Sequence, residues 1–126
     1  LRQEKVDIIA RDLAPAKPYG KESGELLVIG WGGTHGALRS AVETAQSEGM
    51  SVSHLHLRHL NPLPKNLGEI LVKFQKVMIA ELNLGHLANI IRAKFLVDAV
   101  GLNKVQGKPF TQTEVFNKIT ELVKGA

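Results

Sequence analysis

Short apolar runs alternate along this chain with segments that carry apolar residues at helical spacing. Each run is bounded by glycine, proline or polar residues, which is typical of strands buried on both faces of a sheet. The runs are Glu25–Trp31, Ser51–Leu57, Lys76–Leu82 and Asp98–Leu102. The helical stripes that follow them begin at Leu38, Leu67, Leu84 and Val115. This alternation predicts an α/β domain with a mostly parallel sheet and helices on both faces.

Residues 1–24 precede the alternating region. Leu1–Leu13 looks like the tail of a helix, and Ala14–Gly24 concentrates proline, glycine and charge, as linkers do. We therefore expect a helix and a linker over residues 1–24, with room for a short edge strand, and an α/β domain over residues 25–126. Because the chain opens without methionine and inside a helical segment, we expect it to be a fragment of a larger subunit.

Composition argues against several classes of function. The chain has no cysteine, so it supplies no disulfide, thiolate nucleophile or iron–sulfur ligand, and this fits a cytoplasmic location. No apolar run approaches the length of about 20 residues that crosses a bilayer, so no membrane partner is expected. The net charge is +4, but the basic residues are dispersed and aromatic residues make up only 5%. A nucleic-acid partner is therefore not expected either.

A glycine-rich turn follows the first strand. Gly30, Gly32 and Gly36 have the spacing G-x-G-x-x-x-G, one residue longer than the dinucleotide-binding fingerprint. In that fingerprint, backbone N–H groups at a helix N-terminus bind a pyrophosphate. The second strand is followed by Arg58, which suits the 2′-phosphate of NADP. The favoured interpretation is structural, because a tight turn from a strand into a helix often needs glycine.

Histidines on the second strand raise the question of a metal site. His54, His56 and Arg58 share one face, because side chains alternate along a strand. The two imidazoles are able to bind a metal, with His35 or His86 as a third ligand. No acidic residue lies near them in sequence, however. Structural histidines held by hydrogen bonds are therefore the favoured interpretation.

Polar residues also follow the third strand. Glu81, Asn83 and His86 lie where its carboxyl end passes into a helix. Ligands of an open α/β sheet bind outside the carboxyl ends of strands, so this segment and the glycine turn are predicted to flank a crevice. A carboxylate at the end of a buried run needs a partner or has a perturbed pKa. The favoured interpretation is that it caps a helix or pairs with a nearby arginine or lysine. Lys104 and Lys108 are able to reach an anion, although a solvated loop is expected there.

Taken in order, these segments resemble the C-terminal domain of the alpha subunit of 2-oxoacid:ferredoxin oxidoreductases, especially of the 2-oxoglutarate type. The segments that carry the resemblance are LLVIGWGGTHGA, HLHLRHLNPLPKNLGEIL, ELNLGHLANIIRAKF and NKVQGKPF. They lie between Leu26 and Phe110. More distantly, the pattern resembles the C-terminal domain of transketolase. The resemblance implies a three-layer α/β/α fold around a five-stranded sheet, with one antiparallel edge strand in Ala14–Gly24.

The resemblance also implies a function. Enzymes of this family oxidatively decarboxylate a 2-oxoacid with coenzyme A and pass electrons through iron–sulfur clusters to ferredoxin. Thiamine diphosphate and its magnesium lie between other domains, and this domain serves mainly for packing against the rest of the alpha subunit and the beta subunit. We therefore expect no catalytic residue, no cofactor and no metal on this chain, and an isolated fragment without activity.

Eight residues are predicted to face the crevice as interface candidates. They are Gly32, Gly33, Thr34, His35, Arg58, Glu81, Asn83 and His86. Gly33, His35 and His86 depart from the serine, tyrosine and glutamine that are usual in the family, so polar contacts from those positions are not carried over. Two alternatives remain open. One is a module that binds NADP or coenzyme A through the glycine turn over residues 30–36, and the other is an oligomerisation domain without a ligand.

Overall fold

In the parts of the chain that the structure describes, strands and helices alternate as the apolar pattern predicts. A computed structural model of the protein describes residues 16–57, 64–81, 86–103 and 109–124. The strands are β1 (Gly24–Trp31), β2 (Val52–Leu57), β3 (Phe74–Glu81) and β4 (Val100–Asn103). The helices are α1 (His35–Ser47), α2 (Leu67–Leu71), α3 (His86–Phe95) and α4 (Gln112–Lys124). A 3-10 turn over Gly32–Thr34 leads from β1 into α1.

The described strands form one parallel sheet in the order β2-β1-β3-β4. Because every strand runs in the same direction, all the carboxyl ends meet at one edge of the sheet, which we call the carboxyl edge. The strand order reverses between β1 and β3, so the topological switch point lies between Trp31 and Glu81, the last residues of those strands.

Alternate residues of each strand pack into two separate cores. Leu26 and Val28 of β1 contribute to a core beneath α1 and α4, whereas Leu27 and Ile29 contribute to a core beneath α2 and α3. All four side chains are completely buried. A strand covered on both faces explains why its sequence is continuously apolar rather than alternating. The three-layer α/β/α arrangement is therefore confirmed.

The predicted antiparallel edge strand is reduced to one residue pair in the described chain. The sheet has four strands there rather than five, and Tyr19 forms an isolated antiparallel bridge with His54 at the outer edge of β2. Tyr19 N–H donates to the His54 carbonyl and His54 N–H donates to the Tyr19 carbonyl. The pairing stops because Pro18 has no N–H to donate and Gly20, with φ of 112°, turns the chain away.

Two helix boundaries clarify the predicted pattern. Phe74 continues the apolar stripe of the second helix in the sequence, but α2 ends at Leu71 and Phe74 opens β3 instead, where it is still buried. Thr111 caps α4 as predicted, because the Glu114 N–H donates to Thr111 Oγ1 at 3.2 Å, and the Thr111 hydroxyl in turn donates to Glu114 Oε1 at 3.1 Å. None of the described helices is long and apolar enough to span a membrane.

Candidate functional site

The glycine turn at the carboxyl edge has a structural cause at two of its positions. Gly32 has φ of 68°, a left-handed conformation that favours glycine. A Cβ on Gly30 would collide with the buried Leu38 side chain and lie 2.6 Å from Thr34 Oγ1. Thr34 is itself fixed, since its hydroxyl donates to the Trp31 carbonyl at 3.1 Å. Glycine at 30 therefore lets α1 pack closely onto β1.

Gly36 differs from the other two glycines. It lies in the first turn of α1, it is exposed, and no heavy atom lies within 4 Å of the Cβ that a larger residue would add. Its φ is outside the left-handed region. Nothing within the described chain requires glycine here, although glycine in a helix costs about 1 kcal/mol relative to alanine. The exposed backbone of this turn is open to close approach from outside the domain.

Glu81 is fully buried and accepts three hydrogen bonds from residues that the structure describes. Its Oε1 accepts from the Leu87 N–H at 2.7 Å and from Trp31 Nε1 at 3.2 Å, while Oε2 accepts from the Ala88 N–H at 3.1 Å. The two backbone donors belong to the first turn of α3, where unpaired N–H groups and the helix dipole favour a carboxylate. Of the two predicted partners, the described residues provide the helix N-terminus.

Trp31 is the partner that the sequence did not identify. The residue is half-buried, and its ring packs against the core beneath α2 and α3. Its indole N–H reaches Glu81 across the point where the strand order reverses, so these two side chains join the ends of β1 and β3. A buried carboxylate at this point repels phosphate. The arrangement favours a structural role for the glycine turn over pyrophosphate binding.

Three histidines meet at the same edge, on the side of the sheet covered by α1. The ring of His35 lies 4.9 Å from that of His56 and 5.5 Å from that of His54, measured between centroids. Arg39, one turn further along α1, donates from Nε to His54 Nδ1 at 3.3 Å. Burial, together with Arg39 and the two other imidazoles, lowers the pKa of His54 from 6.5 to about 3, so His54 is neutral at pH 7.

This histidine cluster does not form a metal site as it stands. Within the described ranges, no group of three or more histidine, cysteine or acidic side chains is arranged to hold a metal ion. The hydrogen bond from Arg39 also occupies the Nδ1 lone pair of His54, which leaves the proton on Nε2. A ring protonated at Nε2 and beside a guanidinium is a poor metal ligand.

The eight predicted crevice residues divide into three groups. Gly32 and His35 are exposed at the carboxyl edge and stay candidates for an interface. Thr34 and Glu81 lie at the same edge but are buried, 2% and 0% exposed, so the expectation that their side chains face an open crevice is wrong. Each is instead bonded within its own chain.

The side chains of the other four predicted residues are not described. Gly33 belongs to the 3-10 turn, and His86 begins α3 with a side chain that is not described. Arg58 and Asn83 lie outside the described residues, as do Lys104 and Lys108.

Comparison with known proteins agrees with this geometry. A split-gene transketolase, described as an inactive beta4 tetramer, shares the fold with a TM-score of 0.66 at 16% identity over 89% of this chain and 42% of its own. The three-layer domain, with a glycine turn at the carboxyl edge of its sheet, therefore has a transketolase-like α/β fold. The family model for pyruvate:ferredoxin oxidoreductase core domain II matches residues 24–115. The chain belongs to this family.

Two relatives extend the likeness over nearly the whole chain. The 2-oxoglutarate oxidoreductase subunit KorA of Mycobacterium tuberculosis is 44% identical over 99% of this chain. The 2-oxoglutarate:ferredoxin oxidoreductase of Magnetococcus marinus, solved with 2-oxoglutarate, coenzyme A and succinyl-CoA bound, matches 97% of it with a TM-score of 0.89 and 25% identity. The chain spans only 19% of the first relative and 22% of the second. The resemblance predicted from the sequence is thereby confirmed.

Proposed function

We propose that this chain is an assembly domain in the alpha subunit of a thiamine-diphosphate-dependent 2-oxoglutarate:ferredoxin oxidoreductase. In this proposal residues 25–126 are the α/β domain and residues 1–24 precede it, although Gly24 already begins β1 and Tyr19 pairs with β2. The whole enzyme oxidatively decarboxylates a 2-oxoacid, transfers the acyl group to coenzyme A and passes two electrons to ferredoxin in the cytoplasm. The observation that carries the proposal is the likeness to 2-oxoacid:ferredoxin oxidoreductases over nearly the whole chain, which spans about a fifth of those relatives.

The residues of this chain do not fit the cofactors of such an enzyme. Iron–sulfur clusters are held by cysteine thiolates, and the chain has no cysteine. The magnesium of thiamine diphosphate prefers carboxylate and carbonyl oxygens, but the buried carboxylate at the carboxyl edge, Glu81, already caps α3. Cofactor binding therefore belongs to other parts of the enzyme.

The exposed part of the glycine turn supports a packing role. Gly32 and Gly36 present exposed backbone and His35 an exposed imidazole at the carboxyl edge, while Thr34 and Glu81 are bonded internally. Such a surface allows a neighbouring domain or subunit to approach the start of α1 closely. We propose this turn as the contact between the domain and the rest of the enzyme.

The test uses the whole alpha subunit produced together with its beta subunit. We expect the complex to reduce ferredoxin with 2-oxoglutarate and coenzyme A, and the 126-residue chain alone to have no activity. Pyruvate and a branched-chain oxoacid are assayed in parallel to establish the substrate. A complex that oxidises none of the three 2-oxoacids, or an isolated chain that is active, would contradict the proposal.

A substitution in the turn tests the packing role separately. Gly36→Gln adds a side chain into open space in this domain and should leave the fold intact, but it should reduce the yield of assembled complex. Ser47→Gln, at the exposed far end of α1, is the matched control and should assemble normally. Equal yields for the two variants would show that the turn makes no close contact.

A further inference from the structure

Arg39 is held rigidly at the edge of the domain by groups from two other segments. Its guanidinium lies over the Tyr19 ring, 3.8 Å from the centroid, and its Nε donates to His54 Nδ1. Tyr19 is in turn fixed to β2 by its two backbone hydrogen bonds with His54. An arginine stacked on an aromatic ring and bonded through Nε has lost most of its rotamer freedom, so little entropy remains to be lost on binding a ligand.

The positive charge of Arg39 has no counterion within the described parts of the chain. Arg39 forms no ion pair there, not even with Glu43, which lies one turn further along α1 at ion-pairing spacing. The Nε hydrogen bond uses one side of the guanidinium, and Nη1 and Nη2 donate no hydrogen bond among the described residues. This Nη1–Nη2 edge has the fork geometry that binds both oxygens of a carboxylate.

The surroundings of Arg39 are those of an anion site rather than a cation site. Its contact on β2 is His54, whose ring lies beside those of His35 and His56. The first turn of α1 has no acidic residue, and the next acidic residue along the helix after Arg39 is the exposed Glu43. His54 is fully buried, and its Nε2 has no hydrogen-bond partner in the described chain. Arg39 contributes one fixed positive charge, which matches a singly charged carboxylate better than a phosphate dianion.

We propose that Arg39 binds an aspartate or glutamate carboxylate carried by a neighbouring domain or subunit of the oxidoreductase. This inference rests on the proposed function, since the partner is another part of the same enzyme. Arg39 lies one helical turn from His35, so the ion pair adjoins the exposed glycine turn and adds a charged contact to the packing surface. Tyr19 and His54 act as positioning residues for the guanidinium.

The experiment measures how fast the assembled enzyme loses activity at constant temperature, at low and at high NaCl. We expect Arg39→Met to inactivate about tenfold faster than the wild type at low salt, as expected when a partly buried charge pair loses one partner. The difference should shrink at high salt, because screening weakens the pair in the wild type. Lys73→Met removes one exposed positive charge from the far side of the domain and should behave like the wild type.

A second variant and a phosphate control distinguish the possible outcomes of this experiment. If Arg39→Met does not assemble, Arg39→Lys keeps the charge without the forked edge and should still inactivate faster than the wild type. Equal rates for the wild type, Arg39→Met and Lys73→Met would overturn the inference. The inference would also be overturned if inorganic phosphate, at matched ionic strength, slowed the inactivation of the wild type but not of Arg39→Met, because the site would then bind a small anion. In both cases, ferredoxin reduction by the wild-type complex would still support the proposed function.

Discussion

His54 shows how one buried residue joins the fold to its surroundings. Its backbone bridges to Tyr19, its ring accepts a hydrogen bond from Arg39, and its side chain is fully buried beside the rings of His35 and His56. Burial of the ring and the positive charge of Arg39 both disfavour the imidazolium form. His54 is therefore neutral in the folded state. Because the unfolded chain is able to protonate this residue, the free energy of unfolding depends on pH.

We expect the chain to lose stability as pH falls below 6.5, the pKa of a histidine in the unfolded chain. The unfolded state then binds a proton that folded His54, with a pKa of about 3, does not bind. Between pH 7 and pH 5 this histidine alone should lower the free energy of unfolding by about 2 kcal/mol. Urea unfolding at the two pH values measures the loss.

His54→Gln is the control for this pH dependence. Glutamine still offers an oxygen to Arg39 but does not titrate, so the variant should lose about 2 kcal/mol less than the wild type over the same pH interval. If both proteins lose stability equally, other groups are responsible, and His54 is accessible to protons in the folded state.

At the scale of elements, the contact between β1 and α1 depends on one glycine. Gly30→Ala places a methyl group against Leu38 and Thr34, both completely or almost completely buried, so neither is free to move aside. We expect a loss of about 1–3 kcal/mol in the free energy of unfolding, as for other overpacked cores. Chemical denaturation followed by far-UV circular dichroism measures it.

Gly36→Ala is the matched substitution six residues later. Its methyl group points into open space on a helix, so alanine should stabilise the isolated chain by up to about 1 kcal/mol. Opposite signs for the two variants would establish that Gly30 serves packing within the domain and Gly36 does not. A destabilising Gly36→Ala would show that the turn is constrained in a way the described contacts do not explain.

The sequence predicted the elements well and the contacts between them less well. Apolar periodicity and cap spacing are local, so the strands, the stripe of α1 and the Thr111 cap of α4 were predictable. The Trp31–Glu81 hydrogen bond joins residues 50 positions apart and depends on β1 and β3 being neighbours, which no local pattern specifies. For the same reason, Arg39 and Tyr19 were not recognised as partners of His54.

At the scale of the whole molecule, the strand order decides what the carboxyl edge is able to bind. A doubly wound sheet usually opens a ligand crevice where its order reverses. Here the two strands at that point are joined by Trp31 and by Glu81, whose oxygens are committed to α3. Within the described residues, the sheet therefore keeps the topology of a nucleotide-binding domain while Trp31 and Glu81 bond to each other at its switch point.

This arrangement predicts that the edge does not bind a free nucleotide. Trp31 is the single tryptophan of the chain, so its fluorescence reports on the switch point directly. Titration with NADPH, NADH, coenzyme A and thiamine diphosphate, corrected for ligand absorbance, should give no saturable change. Glu81→Gln replaces the carboxylate that Trp31 contacts with a neutral amide and should shift the Trp31 emission, which checks that the probe responds. A saturable response at micromolar ligand would mean that Trp31 and Glu81 separate to admit a nucleotide, and the chain would then be a binding module rather than a packing domain.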